Sequence, residues 1–299
     1  MGEDIKKLLS DKAKMAEEII YSYLPAQEGY QATVFQAMNY SIKAGGKRLR
    51  PVLMYETFQL FGGKSKAIEP LMAAIEMIHT YSLVHDDLPA MDNDLLRRGK
   101  PTTHAVYGEA MGVLAGDALL NYAFETALSA FEIEDASPDR VVRAIKVLAK
   151  KAGVYGMIGG QVVDVESEAS QSISRDKLDF IYELKTGALI EAAMTIGAIL
   201  AGADDEQIAV IESVASRIGL AFQIQDDILD VVGDQETLGK PIGSDEKNQK
   251  ATYVTYEGID KAREDVASLT NQAIEALSSL SNRNYFLEEL LKYLVYRNN

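Results

Sequence analysis

Helical periodicity runs through nearly the whole chain and leaves room for little else. Between Ala67 and Leu88, apolar residues stand at Ile68, Leu71, Met72, Ile75, Ile78 and Leu83, the i, i+3, i+4, i+7 spacing of an amphipathic helix. The same pattern recurs in Ile5–Leu24, Val52–Phe61, Ala105–Phe131, Arg140–Ala152, Leu178–Leu200, Gln207–Val232, Ile259–Leu280 and Tyr285–Tyr296. Proline falls only at the starts, ends or gaps of these segments (Pro25, Pro51, Pro70, Pro89, Pro101, Pro138, Pro241), where helices tolerate it. There is no run of alternating β-branched residues and no Asn-Gly or Asp-Gly hairpin signal. The expected fold class is all-α. No Pro/Ser/Gly-rich linker or low-complexity tract divides the 299 residues, so one helical domain from Met1 to Asn299 is expected.

Composition removes several functional classes. The absence of cysteine excludes a disulfide scaffold, a thiolate zinc site and a cysteine nucleophile. With 45 acidic against 30 basic residues, the net charge of −15 argues against a nucleic-acid-binding face. The most apolar stretch, Ala188 to Ala203, contains Glu191, and its uncharged part starts only at Ala192. That is short of the ~20 residues that span a bilayer, so no membrane span is expected. The N-terminus has early acids and no apolar core of a signal peptide, which makes a cytoplasmic location the expectation. Loops fall near Gly62-Gly63 and Asp135–Pro138, and two longer, highly charged ones at Leu88–His104 and Gly233–Lys250. Loops of that length in a compact domain are usually functional or disordered, so these two invite a chemical reading.

Two acidic strings stand beside those long loops. Asp86-Asp87-Leu88-Pro89-Ala90-Met91-Asp92 closes an apolar helix, and Pro89 lets Asp92 fold back beside the first pair. In Asp226-Asp227-Ile228-Leu229-Asp230, Asp226 and Asp230 are i, i+4 neighbours, with Gln223 one turn earlier on that face. A lone aspartate cluster on a solvated helix is usually decoration. These two continue apolar helices, Ile75 to Val84 and Ile218 to Ile224, and neither has an interleaved Lys or Arg at i±4. Carboxylates packed that closely repel one another, so something cationic must compensate. Oxygen clusters without His or Cys partners suit Mg²⁺, which is held by a few carboxylates together with substrate phosphates.

A phosphorylated substrate needs cations, and they bracket both acidic strings. Gly45-Gly46-Lys47-Arg48-Leu49-Arg50-Pro51 precedes a helix, Arg97-Arg98-Gly99-Lys100-Pro101 follows the first aspartates, Lys185-Thr186-Gly187 lies within a helical pattern, and Gly239-Lys240-Pro241 follows the second. There is no P-loop string and no nucleophile–base arrangement. His79 lies seven residues before Asp86 on nearly the same helix face and could touch a second phosphate group, whereas His85 and His104 stay open.

Taken in order, these motifs resemble the set found in trans-prenyl (polyprenyl) diphosphate synthases, most closely the bacterial-type farnesyl diphosphate synthases, from about Lys43 to the C-terminus. The resemblance implies an all-helical fold around a deep central cavity, a homodimer, and two aspartate clusters facing each other across the cavity mouth. Asp86, Asp87, Asp92, Asp226 and Asp230 would hold Mg²⁺, three ions once substrate is bound, with Mn²⁺ as a substitute. Arg97, Lys185 and Lys240 would hold the allylic diphosphate, and Thr186 and Gln223 would line the path of the reacting carbon. Lys47, Arg50, His79 and Arg98 would bind isopentenyl diphosphate.

Tyr81 and Ser82 sit about one turn before Asp86, where a growing hydrocarbon tail would descend; Tyr81 is equally readable there as an ordinary core aromatic. In the resembling family a bulky residue at this place forms the cavity floor and stops synthesis at C15. The implied reaction is head-to-tail condensation of isopentenyl diphosphate with dimethylallyl or geranyl diphosphate to farnesyl diphosphate. A longer product such as geranylgeranyl diphosphate, a terpene cyclase and a non-catalytic subunit remain alternatives.

Overall fold

The computed structural model describes residues 2–168, 173–232 and 252–296. Its helices are α1 (Gly2–Ser22), α2 (Ala32–Lys43), α3 (Leu49–Leu60), α4 (Ile68–Asp86), α5 (Thr103–Tyr107), α6 (Glu109–Leu128), α7 (Pro138–Ala152), α8 (Met157–Glu168), α9 (Arg175–Ile181), α10 (Ala188–Ala201), α11 (Asp205–Val232), α12 (Tyr253–Glu257), α13 (Ile259–Ser278) and α14 (Tyr285–Tyr296). A π-helical turn, Tyr182–Gly187, joins α9 to α10. Among the described residues the fold is all-α apart from a hairpin of two-residue strands, β1 (Leu96–Arg97) and β2 (Lys100–Pro101).

Two helices form the centre because they are apolar all round. Ile68 and every residue from Pro70 to Ile78 in α4 are buried, as is all of α10 from Ala188 to Leu200 except Glu191. A helix without a polar face has to be covered on every side. Accordingly α6 packs along α4, while α3, α7 and α11 pack on α10 and α13 packs on α11. The amphipathic α7 turns Val141, Ala144, Leu148 and Ala152 inward, with Pro138 in its first turn. One continuous apolar cluster runs from Leu9 to Val295.

The chain ends are fastened by one buried carboxylate. Glu56 of α3 accepts from Lys12 Nζ of α1 at 2.5 Å and from Asn284 Nδ2 at 2.9 Å. Asn284 Oδ1 in turn accepts from the Leu287 amide at 3.0 Å, capping α14.

Several expectations are corrected in detail. Helices α2 and α8 escape the apolar pattern, because buried Asn39 and Ser41 dilute one and Gly159-Gly160 interrupt the other. The expected helix Ala105–Phe131 divides at Gly108, whose φ of +87° breaks it into α5 and α6. The hairpin lacks Asn-Gly or Asp-Gly: Arg98 and Gly99 take φ of 55° and 75°, the two positive values that a two-residue type I′ turn requires. The continuous helix Arg175–Ala201 is long and apolar enough to cross a membrane by length and composition, but 72% of its most apolar window is buried inside the fold.

Close approach of α10 to α3 depends on Gly197. A Cβ built there would stand 2.2 Å from the Met54 carbonyl oxygen and 3.0 Å from the Phe58 nitrogen. Both obstacles are helix backbone, so neither yields by a rotamer change. Gly197→Ala should cost about 3 kcal/mol. Urea denaturation checks this; a midpoint unchanged from the parent would show that the helices separate freely.

Candidate active site

The first acidic string sits where α4 runs out. The Asp87 amide still bonds to the Leu83 carbonyl (3.0 Å), and the chain then doubles back so that the Asp92 amide donates to the Asp86 carbonyl at 2.9 Å. Asp92 thus returns beside Asp86 as expected. Asp86 and Asp87 lie at the negative end of the helix dipole, the unfavourable end for a carboxylate. Burial, with the charges of Asp92 and Asp87 adding to it and those of Lys185 and Arg97 opposing, pushes the Asp86 carboxyl up to about 6. Burial also raises Asp87, although Arg97 donates to its Oδ1 from Nε at 2.7 Å and approaches it with Nη2 at 2.6 Å.

The hairpin explains how adjacent arginines serve different ends of the site. Arg97, the last residue of β1, reaches Asp87. Arg98, the first residue of the turn, donates to the Gly45 carbonyl. Gly46 beneath it takes a φ of +147°, which favours glycine, and a Cβ there would also crowd Arg98 Nη1 at 2.7 Å. The hairpin itself is docked by Tyr40 Oη, which donates to the Pro101 carbonyl (2.7 Å), and the loop before it by Thr102 Oγ1 and His104 Nε2 at the Asp94 carbonyl (2.8 and 2.9 Å). His104 is therefore a loop anchor.

Helix α8 supplies two residues that sequence reasoning missed. Gln161 Nε2 donates to Asp86 Oδ1 at 2.8 Å, and buried Asp164 accepts from Lys185 Nζ at 2.5 Å. Gly160 lets α8 come this near, because a Cβ would meet the Lys185 backbone nitrogen at 2.3 Å. The available signal was a polar residue three positions before an aspartate, directly after two glycines in an otherwise apolar stretch.

The π turn links both acidic strings. Lys185 lies near enough to Asp86 for its charge to lower that carboxyl, while Tyr182 Oη, three residues earlier, donates to Asp227 Oδ2. Such wide turns are frequent at functional sites. Asp227 is buried and also accepts from the Tyr253 amide at 2.6 Å, so it anchors the chain that re-enters at α12. Asp226, Asp230 and Gln223 are half-buried on α11, and Thr186 is half-buried in the π turn. Lys240 lies outside the described residues.

Cations also collect about His79, two turns before Asp86 on α4. Arg48, Arg50, Arg98 and Arg97 together with burial depress the His79 imidazole well below its usual range, burial being the largest cause, so His79 is neutral. Burial lowers the Arg50 guanidinium to about 10, partly offset by Glu76 and reinforced by Arg98. Arg50 Nε is buried without a hydrogen-bond partner. An unanswered buried donor among guanidinium groups is the chemistry of an anion site. Lys47, next to Arg48 in the chain, is exposed.

Tyr81 is buried, its ring edge-on to His85 at 5.8 Å, and its hydroxyl has no hydrogen-bond partner. Burial and then the Asp86 charge push it up to about 12. Ser82 Oγ donates to the His79 carbonyl at 2.9 Å and is satisfied within its own helix.

Among the described residues no three His, Asp or Glu side chains lie close enough together to hold a metal alone. This donor set fits Mg²⁺ all the same, which takes one or two carboxylates and completes its shell with water and phosphate oxygens.

The profile of the polyprenyl synthetase family matches residues 31–290. The chain is 42% identical over 291 residues to the geranylgeranyl diphosphate synthase of Cyanophora paradoxa, covering 97% of this chain and 96% of that protein. It is 44% identical over 263 residues to the farnesyl diphosphate synthase of Geobacillus stearothermophilus, covering 88% of each. The crystal structure of an FPP/GFPP synthase from Zymomonas mobilis superposes with a TM-score of 0.87 at 35% identity, over 99% of this chain and 100% of that one.

The raised Asp86 carboxyl has a consequence for stability. Its folded value near 6 lies above the unfolded one, so the folded state holds the proton more tightly and loses stability as pH rises through that interval. In chelator, Asp86→Asn should raise Tm at pH 7.5 by a few degrees, on the order of 1–2 kcal/mol after allowance for solvent screening. The gain should vanish near pH 4. Thermal melts at the two pH values check this, and an equal gain at both would refute a charge origin.

Proposed function

The chain belongs to the polyprenyl synthetase family and carries trans-prenyl diphosphate synthase activity; on that premise we propose that it joins isopentenyl diphosphate to dimethylallyl and geranyl diphosphates and stops at farnesyl diphosphate. The observation that carries this reading is the π turn, which bonds to Asp227 through Tyr182 and sets Lys185 beside Asp86. Both acidic strings thereby meet one turn, the one that carries Lys185.

In this reading Arg97 and Lys185, with Lys240, offer fixed positive charge to the allylic diphosphate. Departure of that group leaves a delocalised cation and about three negative charges on the leaving oxygens, and donors already aimed at those oxygens stabilise the charge as it grows. Mg²⁺ held by Asp86, Asp87, Asp92, Asp226 and Asp230 supplies, when bound, further Lewis-acid stabilisation of the same charge. Asp87 joins in only as Arg97 turns from it toward the diphosphate. Lys47, Arg50, Arg98 and neutral His79 hold the isopentenyl diphosphate. Its double bond attacks the cation, and the proton lost afterwards passes to the departed diphosphate, so no protein base is required. Thr186 and Gln223 line the reacting carbon, and the apolar helices beneath exclude water that would quench the cation.

The C15 limit rests on Tyr81. A buried ring one turn beyond the aspartates, with an unpartnered hydroxyl, suits the floor of an apolar shaft. The protein is incubated with labelled isopentenyl diphosphate, each allylic starter and Mg²⁺, and the dephosphorylated alcohols are sized. Farnesol is expected from the parent and longer alcohols from Tyr81→Ala. A parent that yields mainly C20 alcohol, or a variant still confined to C15, overturns the floor assignment. Asp86→Ala should lower turnover by several orders of magnitude with the fold intact.

A homodimer is also part of this reading. Val113, Leu114 and Leu128 of α6 are 43, 52 and 52% exposed, large apolar side chains that share the outer face of this helix with exposed Asp117, Asn121 and Glu125. Light scattering at micromolar concentration should give twice the chain mass; a monomer counts against it.

A further inference from the structure

The group of cations around His79 contains one arginine that cannot reach a ligand. Arg48 stands between Lys47 and the Leu49 start of α3, yet its side chain is 0% exposed. It takes φ of +49°, a conformation that an arginine adopts only when its surroundings hold it there. Three contacts do so. Nη1 bonds to Glu76 Oε1 of α4 at 2.7 Å, Nε to Glu17 Oε1 of α1 at 3.1 Å, and Nη2 to the Ile42 carbonyl at the end of α2 at 2.6 Å. Residues 44–48, the connection that carries Lys47 and leads to Arg50, are thus pinned from three helices at once. Glu76 is also buried, at 3%, and lies one turn before His79 on the same helix.

We propose that the buried Arg48–Glu76 pair is a positioning device for the isopentenyl diphosphate end of the site. It sets where Lys47, Arg50 and His79 stand relative to one another, and neither member touches substrate. The proposal rests on the preceding assignment of those residues to isopentenyl diphosphate.

Charge and position make opposite forecasts here. Glu76 is a carboxylate whose charge is felt at Arg48, Arg50 and Arg98. Removing it by Glu76→Gln makes the neighbourhood more positive, so attraction alone would tighten an anionic ligand. Loss of position would weaken it. A second variant, Arg48→Met with Glu76→Leu, replaces the pair by apolar side chains and leaves net charge unchanged; such swaps commonly preserve the fold.

Calorimetric binding of isopentenyl diphosphate without metal, steady-state kinetics for both substrates, and thermal melts distinguish the outcomes. The expected result is a Kd and KM for isopentenyl diphosphate at least tenfold higher in both variants. The KM for geranyl diphosphate should stay within twofold and kcat within threefold, and the apolar pair should melt near the parent. Unchanged or tighter isopentenyl diphosphate binding in Glu76→Gln overturns the proposal. So does an apolar pair that regains parental affinity together with parental Tm, since the ion pair would then serve the fold alone. A parent that binds isopentenyl diphosphate but does not condense it refutes the assigned reaction and leaves the positioning role standing. A parent that binds none refutes both.

Discussion

Carboxylates collect on α11 and at the C-terminal end of α4, where the helix dipole, burial and mutual repulsion all oppose ionisation of Asp86 and Asp87. They are tolerated because fixed cations and donors meet them from other elements. Arg97 of the hairpin reaches Asp87, Gln161 of α8 reaches Asp86, and Tyr182 together with the Tyr253 amide satisfies Asp227. Each of these compensations comes from a different part of the chain. Removing any one partner would leave a buried charge or acceptor unanswered, which is more costly than never having made the contact. The demand for compensation thereby ties the hairpin, α8, the π turn and α12 to the two acidic strings.

Small residues make those approaches possible. Gly160 brings α8 against the π turn, Gly197 brings α10 against α3, and Gly46 leaves space for the Arg98 guanidinium. Polar contacts at the site are therefore coupled to packing far from it. An added methyl group on α8 would move Lys185 through the backbone, without touching any charged atom. The neighbouring arginines of the hairpin illustrate the same economy: a two-residue turn sends Arg97 to the aspartates and Arg98 to the Gly45 loop.

Much of this was readable from local pattern. Nine helical segments were placed by periodicity with ends within about three residues, apart from the break at Gly108, because an apolar stripe at period 3.6 is a local property. The failures have physical causes. In α8, Gly159-Gly160 and buried Asp164 interrupt the apolar pattern because that helix carries Gln161 and Asp164 to the site. In α2, buried Asn39 and Ser41 interrupt it while bonding to the Phe35 and Ala37 carbonyls. The hairpin was missed because Arg98 adopts a backbone conformation for which its side chain gives no local preference.

The sequence by itself determined an all-helical chain, the two aspartate strings, the cations that bracket them and the family to which such an ordered set belongs. These depend on residue type and spacing along one strand of covalent chain. Which charge answers which was decided only by tertiary structure. Nothing in the spacing pairs Arg97 with Asp87, Lys185 with Asp164 or Arg48 with Glu76, across separations of 10, 21 and 28 residues. Nor does it distinguish Asp227, bonded inward, from Asp226 and Asp230 on the half-buried face. Those assignments follow from how helices cross, and helices cross where volume allows. Buried charge then settles on whatever partner the crossing brings within reach.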